Sequence, residues 1–208
     1  SMDLQVAALE RLLVRLSQSG LIGDYPEARE ARTAMIATAL ALRPADMLFG
    51  TARDVPAALA HGVPVVDILA QALAKGGDPG RGRCMPGAIT HQRHAVSLTD
   101  GNIASHTVHA SGFGQAAQLR GDERIACALI GSGALANGEI HAGFNFAALT
   151  SARTIFLVRG EVGDGVSLED AGDAWGLPVV VVRGDDGQAV FSAVREARER
   201  AVAGDGPT

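Results

Sequence analysis

A strand, a glycine turn, a helix and a second strand follow one another between residues 124 and 160. The apolar run 125–130 has the length and composition of a buried strand, and 154–158 predicts a second one. Between them, the small and apolar residues of 134–150 predict a helix that packs against a sheet. Such a unit joins two parallel strands through a right-handed crossover, so we expect an α/β protein.

The glycine turn that follows the first of these strands is a candidate site. Gly131, Ser132 and Gly133 come directly after the predicted strand, and ligands of parallel sheets bind beyond the carboxyl ends of the strands. Two glycines let the backbone approach an anion closely, and the free N–H groups of the following helix favour phosphate. The same spacing is also typical of a tight turn in which Ser132 caps the helix. Spacing alone leaves both interpretations open.

The residues that continue this turn carry a more specific signal. Residues 131–149 read GSGALANGEIHAGFNFAAL, which resembles the thiamine-diphosphate motif of the α subunits of 2-oxo acid dehydrogenase E1 components, G-D-G-A-x-N-x-G followed by N-x-A-A-L. The resemblance covers most of the chain, in the family's order. Further matching segments are 42–46, 53–54, 61–64, 68–70, 80–85 and 194–197.

The resemblance implies a particular architecture, a three-layer αβα sandwich with a mainly parallel sheet, which is the thiamine-diphosphate-binding fold. It implies a single E1 α-like domain over residues 1–208, in which the C-terminal part of the family's domain is missing. The hydrophobic pattern adds further elements to the central unit. The predicted helices are 3–18, 27–42, 65–75, 108–119, 168–175 and 189–202, and the predicted strands are 47–49 and 178–182. The small residues of 108–119 suit a subunit contact as well as the core.

The resemblance also implies positions for a cofactor. A Tyr-Arg pair holds the diphosphate in the family, and Arg53 is its counterpart here, although an arginine paired with a surface carboxylate fits the sequence equally well. Ser132 stands where the family's metal-binding aspartate would be, and Glu161 falls at the position of its second metal ligand, an asparagine. Mg²⁺ normally takes at least one carboxylate. We therefore predict lost or weakened binding of thiamine diphosphate and Mg²⁺ at Arg53, Gly131, Ser132, Gly133 and Glu161, unless Glu161 restores the carboxylate.

A histidine-rich segment offers a different interpretation. The sequence predicts a long loop over 76–101, and loops of that length are usually functional or disordered. His91, His94, His106 and His109 form two H-x-x-H pairs, and with Cys84 they have the residue types of a metal site. Their spacing matches no closed zinc motif. Histidines of an exposed loop without any ligand, or polar residues that line a different substrate pocket, fit the pattern too.

Composition narrows the classes of partner. The net charge of −5 and the pI near 5.6 give no electrostatic reason to expect nucleic acid or an anionic membrane. The sequence contains no apolar run long enough to span a bilayer. Two cysteines do not make a disulfide framework, so we expect a cytoplasmic protein.

These observations lead to three hypotheses, and none of them assigns a catalytic residue. The first is an E1 α-like subunit that supports or regulates an E1 β-like subunit, in a heterotetramer or as a homodimer, with weakened or lost cofactor binding. The second is an active thiamine-diphosphate-dependent α subunit that decarboxylates a 2-oxo acid and is completed by a β partner. The third is a repurposed site lined by the four histidines.

Overall fold

A five-stranded sheet forms the centre of the protein. The structure is a computed structural model that describes residues 1–28, 31–99, 102–160 and 168–208, without the side chains of residues 168 and 169. The strands lie in the order β2-β3-β1-β4-β5. All neighbours are parallel except β2, which pairs with β3 in the antiparallel sense. The strands are β1 Met47–Thr51, β2 Thr90–His91, β3 Val96–Thr99, β4 Ala126–Gly131 and β5 Thr154–Arg159.

Helices cover both faces of this sheet and complete three layers. Successive side chains of a strand point to opposite faces. The helices are α1 Met2–Gln18, α2 Arg32–Ala41, α3 Val55–Ala60, α4 Val65–Ala72, α5 Ser105–Leu119, α6 Gly138–Thr150, α7 Leu168–Trp175 and α8 Gly187–Ala203. On β4, Cys127 and Leu129 pack with α1–α4 and α8, whereas Ala128 and Ile130 pack with α5 and α6. The α/β class and the mainly parallel sheet are therefore confirmed.

The layer of α5 and α6 is closely packed because glycine occurs at the contacts. A Cβ added at Gly114 of α5 would lie 2.3 Å from Thr154 Oγ1, and one added at Gly143 of α6 would lie 2.9 Å from Thr107 Oγ1. The hydroxyl of Ser111 donates to the carbonyl oxygen of Gly143 at 2.8 Å. The small residues predicted over 108–119 thus serve the core of this chain, and their role in a subunit contact stays a prediction.

The structure corrects the predicted elements in three respects. The loop predicted over 76–101 contains β2 and β3, which are too short to give a clear periodic signal. The segment 178–182, predicted as a strand, joins no ladder, and Val180 and Val181 are more than half exposed. Thr208 instead bonds to the outer edge of β5, through the backbone of residues 154 and 156.

The third correction concerns where two helices begin. The helix predicted over 27–42 begins at Arg32. Before it, the N–H of Ala28 donates to the buried carboxylate of Glu10 at 2.9 Å. The helix predicted over 134–150 begins only at Gly138, after a short 3-10 turn, and Asn137 caps it by accepting the N–H of Glu139 at 3.0 Å. Among the helices of the described ranges, none has the length and apolarity needed to cross a membrane.

Candidate functional site

The carboxyl ends of β1 and β4 form the crevice in which ligands of open parallel sheets bind. From β1 the chain continues to β3 on one side, and from β4 it continues to β5 on the other. The direction of winding thus reverses between β1 and β4, and this reversal opens a crevice outside the strand ends. Thr51, Gly131 and Arg159 are the last residues of β1, β4 and β5.

The glycine turn lies at this crevice and is open on one side. A Cβ added at Gly131 or Gly133 would meet no heavy atom of the described residues within 4 Å. The side chain of Ser132, between them, lies beside Gly160. A Cβ added at Gly160 would be 2.8 Å from the hydroxyl oxygen of Ser132. Gly160 has a φ of +104°, a conformation that suits glycine. Among the described residues, no side chain therefore blocks the backbone at these two glycines.

Arg53 lies at the same edge, in the short 3-10 turn Ala52–Asp54 that follows β1, and it is exposed. The carboxylate of Asp54 holds this turn in place by accepting the N–H of Thr51 at 2.8 Å and its hydroxyl at 3.1 Å. The structure therefore brings Arg53 and the glycine turn to one end of the sheet. Glu161, the remaining predicted cofactor residue, lies outside the described residues, and the cofactor-binding role of all five stays a prediction.

A buried ion pair at this edge is a feature that the sequence analysis missed. Arg159 Nη2 lies 2.6 Å from Asp54 Oδ1, and the two side chains are 10% and 0% exposed. Arg159 ends β5 and Asp54 follows β1, while β4 lies between those strands. The guanidinium therefore reaches past the end of β4, where it borders the crevice. The sequence signal was modest: Arg159 follows directly after the predicted strand 154–158, and Asp54 lies five residues after the predicted strand 47–49.

His106 is buried beneath the same edge, at the start of α5. Its Nε2–H donates to the carbonyl oxygen of Leu129 at 2.9 Å, and Nδ1 has no partner among the described residues. Burial lowers the pKa of His106, and the nearby Arg159 adds to this, while the Leu129 bond and the Asp54 carboxylate act in the opposite direction. The imidazole is therefore a neutral group that packs against β4.

The structure separates the four histidines into two places. The rings of His91 and His94 are 4.7 Å apart near β2, and His91 Nε2 lies 3.1 Å from Asp67 Oδ2. His106 is buried and His109 is exposed, both on α5. Within the described part of the chain, no three His, Cys, Asp or Glu side chains are grouped as a metal ion would need. A histidine metal site has no support in this arrangement and stays a prediction.

Cys84 lies apart from the strand ends. With His91, Asp67 and Gln71 it lines a cavity of about 190 Å³. Gln71 holds the wall of this cavity by donating to the carbonyl oxygen of Met85 at 2.9 Å and accepting the N–H of Gly87 at 3.0 Å. Cys84 is an exposed free thiol.

The residues at the strand ends suit a phosphate better than a divalent cation. Ser132 offers a neutral hydroxyl, and the Asp54 carboxylate is already engaged by Thr51 and Arg159. Since Mg²⁺ takes hard anionic oxygens, the described residues do not fit that ion. Two guanidinium groups and the open backbone of the glycine turn do fit a phosphate.

Comparison with known proteins agrees with the architecture. The family described as "Dehydrogenase E1 component" matches residues 1–208. The 2-oxoisovalerate dehydrogenase subunit alpha of Bacillus subtilis is 31% identical over 205 residues, which is 93% of this chain and 62% of that protein. Its namesake from Pseudomonas aeruginosa is 34% identical over 186 residues, covering 83% and 45%. The pyruvate dehydrogenase E1 component subunit alpha of Staphylococcus aureus is 29% identical over 210 residues, covering 96% and 54%.

The match confirms the resemblance that the sequence motifs indicated. The chain spans about half the length of the relatives it matches, from 45% to 62% of the three just described. Because a family match over residues 1–208 accompanies a mainly parallel sheet with helices on both faces, this chain belongs to the dehydrogenase E1 component family.

Proposed function

We propose, first, that this chain is an α-type subunit that assembles with an E1 β-like protein. We propose, second, that its metal-dependent binding of thiamine diphosphate is lost or weakened. One observation supports the second part: the neutral Ser132 stands where the resemblance implies a metal-binding aspartate, while the Asp54 carboxylate at the same end of the sheet is paired with Arg159 at 2.6 Å. Among the described residues, a divalent ion at that place would have no free carboxylate as a ligand, and it would lie among side chains that are already charged and paired. The role of the chain would then be structural or regulatory.

The outer surface of the α5–α6 layer supports the assembly. Val108 and Leu119 are eleven positions apart on α5, which places them on one face of that helix, and they are 41% and 79% exposed. Phe146 and Leu149 are three positions apart on α6 and are 40% and 88% exposed. Exposed apolar groups collected on neighbouring helices are typical of a protein–protein contact. Both a heterotetramer with a β-like subunit and a homodimer fit such a surface.

Coexpression with the product of a neighbouring E1 β-like gene, followed by sedimentation analysis, tests the assembly. We expect a complex, and we expect Leu149→Asp to weaken it. The control is Leu21→Asp, which also places a charge at an exposed leucine but lies after α1, away from α5 and α6 in the sequence, and should weaken the complex less. Absence of any complex with the β-like protein would overturn the partner role. A self-associated species of the chain alone would favour the homodimer.

Calorimetric titration with thiamine diphosphate and Mg²⁺ tests the cofactor part. We expect little or no dependence of binding on Mg²⁺, in the chain alone and in the complex. Strong binding that requires Mg²⁺ would contradict the proposal.

A second candidate is the active α subunit, completed by the β partner. The open backbone at Gly131 and Gly133 and the placement of Arg53 at the same edge favour it. Its reaction would be decarboxylation of a 2-oxo acid with transfer of the acyl fragment to a lipoyl group. Turnover of a 2-oxo acid by the assembled complex, lost in the Glu161→Gln variant, would establish this function.

A further inference from the structure

The cavity beside Cys84 has room for a small organic group. Its volume of about 190 Å³ far exceeds the roughly 10–15 Å³ that one water molecule needs. The Cys84 thiol is exposed and free, and a Cβ added at Gly80, which also lines the cavity, would lie 3.4 Å from the sulfur. The sulfur therefore lies against a residue without a side chain, at the border of the cavity.

The segment that carries Cys84 is held on both sides. Before it, the buried carboxylate of Asp78 accepts the backbone N–H groups two and four residues further on, at 2.8 and 2.7 Å. After it, the buried amide of Gln71 donates to the carbonyl oxygen of Met85 at 2.9 Å. These bonds keep the thiol at the cavity.

An acid–base pair lines the same cavity. His91 Nε2 lies 3.1 Å from Asp67 Oδ2. Since Asp67 takes the Nε2–H, the other ring nitrogen, Nδ1, is an acceptor. It is buried and has no partner among the described residues, which is unfavourable for a polar atom. A ligand that brings an N–H group to the cavity would satisfy it.

Positive charge is concentrated around the thiol, although the chain as a whole carries −5. Arg81 and Arg83 are exposed and precede Cys84 closely in the sequence. Residues 67–94 contain four cationic side chains against two carboxylates, a net charge of +2: Lys75, Arg81, Arg83 and Arg93 against Asp67 and Asp78. Reactive cysteines are typical of partly exposed, electropositive places, and the positive charge attracts anionic reagents.

We propose that Cys84 is a site of reversible S-thiolation, which takes a small anionic disulfide bearing N–H groups, such as the disulfide of a short peptide thiol. The Cys84 thiolate attacks one sulfur of the disulfide, and the new S–S bond forms as the S–S bond of the reagent breaks. The departing thiolate takes up the proton that Cys84 released. The disulfide itself is the oxidant, so no other is needed. This proposal is independent of the proposed function.

The mixed disulfide would persist once formed. The sequence has two cysteines, and the other one, Cys127, is a free thiol buried in β4. A second thiol beside the first is what usually resolves such an adduct within one chain. Here an external thiol is needed to remove it.

The charge of the reagent gives the first test. The whole chain is treated with anionic glutathione disulfide or with cationic cystamine, and mass spectrometry follows the adduct on Cys84. Each rate is divided by the rate of N-acetylcysteine amide with the same reagent, which removes differences in intrinsic reactivity. The normalised rate should be about tenfold or more higher for glutathione disulfide. Equal normalised rates, or a preference for cystamine, overturn the proposal.

The source of this preference is tested by two arginine variants. Arg83→Gln should reduce the preference for glutathione disulfide by about threefold or more. The control is Arg43→Gln, which makes the same charge change at an exposed residue paired with Glu123. The same reduction in both variants, or none in Arg83→Gln, contradicts the role of the local charge.

A bulky side chain tests whether the cavity receives the reagent. Thr90 and Gln92 are both exposed, but Thr90 lines the cavity and Gln92 lies just beyond it in the sequence. Thr90→Trp should slow glutathione disulfide by about fivefold or more while the smaller iodoacetamide still labels Cys84, because exchange depends on access. Gln92→Trp should leave both rates unchanged. Circular dichroism confirms that each variant folds, and equal rates in the two variants overturn the use of the cavity.

The role of His91 is tested with a second anionic reagent, 3,3′-dithiodipropionate, which has carboxylates but no N–H group. His91→Phe keeps a ring and removes the acceptor, and the unpaired Asp67 that it leaves affects both anionic reagents alike. The rate of glutathione disulfide relative to dithiodipropionate should fall by about fivefold, as expected for one hydrogen bond. An unchanged ratio would show that His91 does not bind the reagent.

Discussion

The guanidinium of Arg198, on α8, donates to both carboxylate oxygens of Asp46, at 2.6 and 3.1 Å. Both side chains are buried. The same carboxylate accepts the backbone N–H of Arg43 at 2.8 Å and that of Ile125 at 3.1 Å. One aspartate therefore ties the last helix to the amino ends of β1 and β4, at the edge of the sheet opposite the candidate site.

We predict that Arg198→Met destabilises the protein by about 3–5 kcal/mol, because it leaves the Asp46 carboxylate buried without its counter-charge. Urea unfolding followed by circular dichroism measures the change in the free energy of unfolding. Arg195→Met, on the same helix, should change it by less than about 1 kcal/mol, because that side chain is 59% exposed and its carboxylate partner is 3.7 Å away. Equal effects of the two substitutions would contradict a structural role for the buried pair.

Two glycines of α5 should respond to alanine in opposite directions. Gly114→Ala should destabilise the protein by about 1–3 kcal/mol, because the new Cβ would lie 2.3 Å from Thr154 Oγ1 and 2.8 Å from the carbonyl oxygen of Arg153. Gly112→Ala should stabilise it by up to about 1 kcal/mol, because its Cβ would meet nothing within 4 Å among the residues that the structure describes and alanine favours a helix. Thermal unfolding of both variants checks the pair, and a stable Gly114→Ala would show that α5 can move away from β5.

Stability should fall as pH decreases through the ordinary histidine range. Burial lowers the pKa of His106 below its ordinary value of 6.5, so the unfolded chain binds more protons than the folded one at and below that pH. The free energy of unfolding therefore decreases from about pH 7.5 to about pH 5.5. His106→Asn should reduce this slope, and His109→Asn, at an exposed residue of the same helix that contributes only the smallest part of the His106 shift, should change it much less. An identical slope in His106→Asn would mean that other groups cause the dependence.

The two cysteines should differ in reactivity. Cys84 is exposed, whereas Cys127 is buried in β4, where burial and the nearby Asp46 carboxylate raise its pKa to about 12. Iodoacetamide at neutral pH should therefore label one thiol in the native protein and two after denaturation, since the thiolate is the reactive form. Mass spectrometry counts the labels, and Cys84→Ser should leave the native protein unlabelled. A native label on Cys127 would indicate that β4 opens readily.

The central unit of the fold follows from local sequence signals. The run 125–130 is apolar at every position because β4 is covered on both faces, and Gly131 ends it. The motif over 131–149 then fixed the family, and the family match confirms it. The glycine turn, Arg53 and their common edge could be predicted in this way, since the turn comes directly after a strand, Arg53 comes a few residues after another, and parallel strands end together.

The features that escaped prediction depend on contacts between distant residues. The Asp54–Arg159 pair joins side chains 105 positions apart, and no local pattern specifies which charge an arginine will meet. The apolar residues of 178–182 have the composition of a strand. They could pair with β5 only if its outer edge were free, but Thr208 already bonds to that edge. Strand β2, of two residues, is below the length at which periodicity is detectable.

That short strand has a consequence for behaviour at high concentration. β2 is antiparallel to β3 and contains only Thr90 and His91, so one margin of the sheet presents a very brief row of backbone donors and acceptors. Long, flat margins are where foreign chains add and fibrils begin. By ending the sheet in two residues that run against the others, the fold restricts edge-to-edge aggregation on that side while the helical layers stay available for ordered assembly.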